Sequence, residues 1–185
     1  MGGGASRPAV KRTAVTSVSL ILPRVYLGDL HGATNAALLE ERNVRYVVRA
    51  LPDNHHVPVT REEHIEYLVV PVNDATDADI GAHFERVIAF VDKALAADDT
   101  SAVLIHCAAG VSRSASLTIA YVMHARRVPL RAAYEHVRAA RPVVKPNTSF
   151  ARQLVAVAER MADDVADEHT DAATLRADAR TWLCE

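Results

Sequence analysis

Cysteine is scarce here: the chain has two in 185 residues, Cys107 and Cys184. Two thiols make no disulfide framework and suit a reducing compartment. They argue against a cysteine-built metal site, and no H-E-x-x-H pairs any of the nine histidines for zinc. Most of those histidines read as surface residues. Charge of one sign is lacking too: 21 Lys and Arg face 23 Asp and Glu, a formal net charge of -2. A nucleic-acid partner would need a basic face, so none is expected. No apolar run reaches transmembrane length, no basic-then-apolar secretory leader opens the chain, and no repeat is visible. The expected location is cytoplasmic or nuclear. What is plentiful is apolar residue, 50% of the chain. That supports one globular domain with a sizeable core.

One stretch organises the rest: Val103-Leu104-Ile105-His106-Cys107-Ala108-Ala109-Gly110-Val111-Ser112-Arg113-Ser114. It reads as a strand, a tight loop of small residues and a helix N-terminus. Such a loop aims the backbone N–H groups of Ala108, Ala109, Gly110, Val111, Ser112 and Arg113 at one point and binds a tetrahedral anion. Arg113 adds a fork that holds two phosphate oxygens. The same field favours the thiolate of Cys107. A thiolate at the floor of a phosphate cradle is arranged to attack phosphorus.

Strands are predicted at Val18–Leu22, Val25-Tyr26-Leu27, Val44–Ala50 and residues 65–72, the last buried on both faces because its apolar run is nearly continuous. Thr34 is the expected cap of a helix running to Asn43. Residues 52–63 are polar, contain two prolines and read as a loop. Apolar positions at helical spacing predict a helix from Ile80 to about Ala97. Further helices are expected over 115–127, from Pro129 to Ala140 with Arg141-Pro142 as its stop, and after a cap at Asn147 or Thr148. Strands alternating with helices predict an α/β domain with a central, mostly parallel sheet flanked by helices. Its span is 18–164, between a floppy segment 1–17 and an acidic tail 165–185 that either frays or docks.

The central stretch resembles the signature of the cysteine-dependent protein tyrosine phosphatases, H-C-x5-R-[S/T], and its A-G-x-S-R-S ending is similar to that of the dual-specificity branch. The resemblance extends from about residue 18 to about 160. It takes in Ile21-Leu22-Pro23-Arg24-Val25-Tyr26-Leu27-Gly28, the segment of Asp74, Ile80 and Phe84, and Arg141-Pro142-Val143-Val144-Lys145-Pro146-Asn147 with Phe150. Arg49 departs from it, since the family more often has Asn there.

The resemblance implies a fold of the protein tyrosine phosphatase type and hydrolysis of phosphotyrosine and phosphoserine or phosphothreonine in proteins. Cys107 is then the nucleophile, and Arg113 with the loop amides holds the equatorial oxygens. The leaving oxygen needs a proton. Asp74, just past a predicted strand, is the expected donor, with Asp77 and Asp79 as rivals and Asp79 better placed as a helix cap. Ser114 is expected to donate a hydrogen bond to the sulfur. His106 should point inward and bond the loop backbone. No metal or cofactor is required, because arginine and amides supply the positive charge.

Other readings start from the same residues. A phosphoprotein-binding scaffold of this shape would tend to lack the cysteine or the arginine. A phosphoinositide phosphatase would usually carry lysines in a loop that here is neutral. An RNA 5'-phosphate substrate would go with a module that is not visible. At the start, Met1-Gly2-Gly3-Gly4-Ala5-Ser6 fits the pattern for myristoylation of Gly2, with Arg7, Lys11 and Arg12 as a lipid-attracting second signal. Lys11-Arg12 before Val18-Ser19-Leu20 loosely fits a kinase-docking peptide. Protein kinases are thus candidate partners, membrane association is a candidate state, and a monomer or weak dimer is expected. Cys184 reads as a plain tail residue.

Overall fold

The computed structural model describes residues 17–52, 64–165 and 172–181. Five strands, β1 (Val18–Leu22), β2 (Val25–Gly28), β3 (Val44–Ala50), β4 (Glu66–Val70) and β5 (Ala102–His106), form one sheet in the order β1-β2-β5-β3-β4. Only the β1–β2 hairpin is antiparallel; β2, β5, β3 and β4 run parallel. β5 lies in the centre, and all five of its residues are buried.

Alternation along β5 assigns its side chains to two cores. Val103, Ile105 and Cys107 belong to the larger cluster, under α3 (Phe84–Ala97), α4 (Arg113–Arg126), α5 (Leu130–Ala140) and α6 (Thr148–Val165). Ala102 and Leu104 belong to the smaller one, with Ala33 of α1 (Leu30–Ala33) and Leu39 of α2 (Ala36–Glu41). α4 is buried from Ser114 to Met123. It is a core helix, buried on every side over these ten residues. Three of its inward hydroxyls are satisfied: Ser114 donates to the Cys107 sulfur, and Ser116 and Thr118 donate to carbonyls four residues back.

Several expectations change in detail. β4 is an edge strand whose exposure alternates, with Leu68 and Val70 buried and Tyr67 and Val69 half-buried. The sheet order leaves it only one partner. The segment after β2 makes two short helices. Asp29 caps α1 through Gly32 N–H and Asn35 caps α2 through Leu38 N–H, while Thr34 closes α1. The helix expected from Ile80 begins with a 3₁₀ turn, Gly81–His83, and becomes α-helical at Phe84. Asp79 accepts from Ala82 N–H there, as its capping role requires. Asn147, the first of the two candidate caps, accepts from Phe150 N–H at 2.9 Å. The tail docks over α7 (Ala172–Thr181), which lies along α6: Arg176 bonds Asp163 and the Glu159 carbonyl, Arg180 bonds the Glu159 carboxylate, and Ala179 is buried. Among the described residues, no helix is long and apolar enough to cross a membrane.

Candidate active site

Parallel strands place their following loops on one rim of the sheet. β5 delivers Cys107 to that rim, and β4 delivers Asp74. Cys107 is 2% exposed. Its sulfur accepts from Gly110 N–H at 3.2 Å and from the Ser114 hydroxyl at 3.1 Å. Burial pushes the thiol pKa up. The Ser114 hydroxyl and the amides of Ser114, Gly110 and Val111 pull it down, and the net result lies below the ordinary thiol value.

The carbonyls of the 107–112 loop explain why its amides face inward. Ala108 O accepts from Leu30 N–H, Ala109 O from Arg141 Nη2, Gly110 O from Arg141 Nε, and Val111 O from Lys145 N–H. In a trans peptide the N–H points opposite to the C=O. Four carbonyls held outward therefore turn the N–H groups of Ala109, Gly110, Val111 and Ser112 toward the centre. Gly110 sits at φ +66, and a Cβ there would meet both Gly28 O and Arg141 Nη2 at 2.7 Å. Only glycine fits.

Arg141 is 1% exposed, and its Nη2 lies 3.7 Å from the Asp29 carboxylate. From sequence it is the stop of α5 and the first residue of the 141–147 stretch of the resemblance, with no role of its own. No local pattern marks it as a clamp, because its partners lie 31 and 32 residues away.

Arg113 leans over the rim, donating from Nη1 to Val72 O at 3.4 Å. Its Nε is buried without a hydrogen-bond partner among the described residues, 3.9 Å from Asp74 Oδ2. Asp74 Oδ1 accepts from the Ser112 hydroxyl at 2.7 Å and from Asn147 Nδ2 at 2.8 Å. Asn147 N–H in turn donates to Ser112 Oγ at 3.1 Å. Ser112 thus spends its hydroxyl on Asp74 and makes no capping bond to α4. Sequence reading counts only its backbone amide. The Asn147 carboxamide, read there as a helix cap, also holds Asp74. Asp77 is exposed, and Asp79 faces its own helix.

His106 is buried on the opposite side of β5, with Nδ1 3.3 Å from Cys107 O. Burial, chiefly, lowers its pKa to about 4, so at neutral pH the ring is uncharged and donates to that carbonyl. Arg49 pairs with His106 across β3 and β5, and its charge adds to the lowering. Gly2, Arg7, Lys11, Arg12, His55, His56 and Cys184 lie outside the described residues.

The fold is that of the protein tyrosine phosphatase class: a mostly parallel sheet flanked by helices, with a buried sulfur that accepts from the Gly110 amide and the Ser114 hydroxyl and, on the same rim, Arg113 and Asp74 3.9 Å apart. The family described as dual specificity phosphatase, catalytic domain, matches residues 25–160, and the chain belongs to it. Human dual specificity protein phosphatase 14 is 39% identical over 142 residues, which is 76% of this chain and 69% of that protein. Dual specificity protein phosphatase Mpk3 of Drosophila melanogaster is 37% identical over 140 residues, 75% of this chain and 33% of the fly protein. This chain therefore spans about a third of the length of the fly relative. The crystal structure of human DUSP28 superposes with a TM-score of 0.72 at 30% identity, covering 80% of this chain and 97% of that one.

Proposed function

We propose that the chain hydrolyses phosphotyrosine and phosphoserine or phosphothreonine in proteins through a cysteinyl-phosphate. The Cys107 thiolate attacks phosphorus in line as the ester P–O bond breaks. Asp74, protonated, gives its proton to the leaving oxygen. Water then attacks the phosphocysteine and passes a proton to the Asp74 carboxylate. The S–P bond breaks, and the Ser114 hydroxyl donates to the departing sulfur. Arg113 and the inward amides hold the equatorial oxygens through both steps. These groups supply the positive charge, so neither metal nor cofactor enters.

One observation carries this reading. A sulfur with two donors lies under the outward-held carbonyls of its own loop, and a carboxylate is fixed on the same rim. The relatives' names support a protein substrate. So does the neutral loop, in which Ala108, Ala109, Val111 and Ser112 offer no lysine to a further phosphate. The retained Cys107, Arg113 and Asp74 favour turnover over mere binding. From the sequence patterns come further parts of the proposal: a catalytic domain over 18–164, protein kinases as partners, an acyl chain on Gly2 and a monomer or weak dimer.

The test is hydrolysis of a small aryl phosphate with chelator present. Native protein should turn over, and Cys107→Ser should fall to the level of buffer. Asp74→Asn should lose about 10²- to 10⁴-fold. Full activity in Cys107→Ser would overturn the proposal.

A further inference from the structure

The 73–80 loop carrying Asp74 has no helix or strand of its own. Its near end is tied at Asp74 by Ser112 and Asn147. Its far end is tied by a residue that the proposed chemistry does not use. Gln153, on α6, donates from Nε2 to Ala78 O at 2.8 Å and accepts from Gly81 N–H at 2.7 Å. One side-chain amide therefore brackets the stretch from Ala78 to Gly81 and satisfies a backbone acceptor at one end and a donor at the other. Building on the catalytic reading above, we propose that Gln153 is a positioning residue for Asp74, fixing the far end of the acid loop so that the carboxyl group meets the leaving oxygen.

The chemistry of the two contacts specifies glutamine. Gly81 N–H can only donate and Ala78 C=O can only accept, so the side chain must offer one oxygen and one N–H at once. Glutamate would place a second acceptor against the Ala78 carbonyl. Methionine, of similar length, would offer neither group. Ser149, one turn earlier on α6, accepts a second bond from Nε2 at 3.2 Å and orients the carboxamide. Gly81 permits the approach, since a Cβ there would stand 3.2 Å from Gln153 Oε1. Between the two contacts, Ile80 is fully buried and Asp79 caps the following turn. The bonded stretch is thus a fixed pivot, four residues along from Asp74.

The clamp also borders open water. A groove of about 480 Å³, lined by Asp79, Gly81, Glu85, Gln153 and Arg160 among others, runs beside it. Once the amide is removed, water can take over both backbone groups and the loop can lift. Asp74 would then keep its two near-end partners but lose its support from behind. A misplacement of about 1 Å in a reacting group can cost on the order of 10²-fold.

The experiment is a leaving-group series. Aryl phosphates whose phenols range from strongly to weakly acidic are hydrolysed by native protein, Gln153→Met, Gln153→Glu and Asp74→Asn. Iodoacetate alkylation of Cys107 and backbone hydrogen exchange are followed on the same samples. Both Gln153 variants should slow the poorest leaving group about 10-fold or more beyond the best, the pattern of Asp74→Asn. Alkylation should be unchanged, and exchange should rise over residues 73–83. In an Asp74→Asn background, Gln153→Met should add nothing. Equal slowing of every ester, full additivity with Asp74→Asn or unchanged exchange would overturn the role of Gln153. Absence of native turnover on every ester would instead overturn the phosphatase reading, and the clamp would then be judged by exchange alone.

Discussion

Arg141 and His106 are buried polar residues that bond the backbone around the 107–112 loop, and each makes a different prediction. The Arg141 guanidinium satisfies two loop carbonyls and pairs with Asp29. Arg141→Met leaves those carbonyls and the Asp29 charge without that partner. The expected cost is about 3 kcal/mol in urea unfolding, with weaker protection of Cys107 from alkylation by inorganic phosphate. His106 titrates at about 4 in the fold, against 6.5 for a free imidazole. The unfolded chain therefore binds a proton at this site between those values. The stability His106 contributes is fully present above about pH 6.5 and is lost as pH falls through 4, about 3 kcal/mol in all. Stability measured against pH should flatten over that window in His106→Gln relative to native protein. Ser114 acts on the sulfur itself. Ser114→Ala removes a donor 3.1 Å away and should move the pH midpoint of Cys107 alkylation upward, toward the ordinary thiol value of about 8.5. Cys107, Arg113 and Ser114 were legible because all three fall within one eight-residue motif. Arg141 and Gln153 were not, because each acts on backbone more than 30 residues away.

At the scale of elements, α6 and its cap contact both ends of the loop that carries Asp74. Its cap residue Asn147 bonds Asp74, and Gln153 bonds the loop's far end. The periodicity of Phe150, Leu154 and Val157 reveals this helix in the sequence. It gives no hint that the polar residues between them reach another loop. The edge position of β4 is hidden in the sequence for a related reason: an apolar run records affinity for a core but not which strand lies at the edge, and sheet order decides that. The two short helices before β3 depend on Asp29 and Asn35, either side of the expected cap Thr34, so one cap was anticipated where two occur. α7 packs on α5 and α6. Truncation after Val165 should lower stability by about 1–3 kcal/mol, read as a lower Tm, and leave kcat on an aryl phosphate within twofold.

At the scale of the molecule, parallel strands make the site possible. β3 separates β4 from β5, yet both strands lead into loops on the same rim, so Asp74 meets Ser112 of the loop that follows Cys107. The alternation of strands and helices made this α/β class legible, and the hairpin at β1–β2 is its one antiparallel pair. The twofold burial of β5 follows from its central place: one face supports Cys107 and the other encloses His106. The central claim is that this sulfur becomes bonded to phosphorus. It is tested most directly by acid-quenching the protein during aryl phosphate turnover and weighing its peptides. The expected result is one phosphoryl group on the peptide containing Cys107, absent from Cys107→Ser. Steady turnover with that peptide unmodified at every quench time, or with the phosphoryl group on another residue, would contradict it.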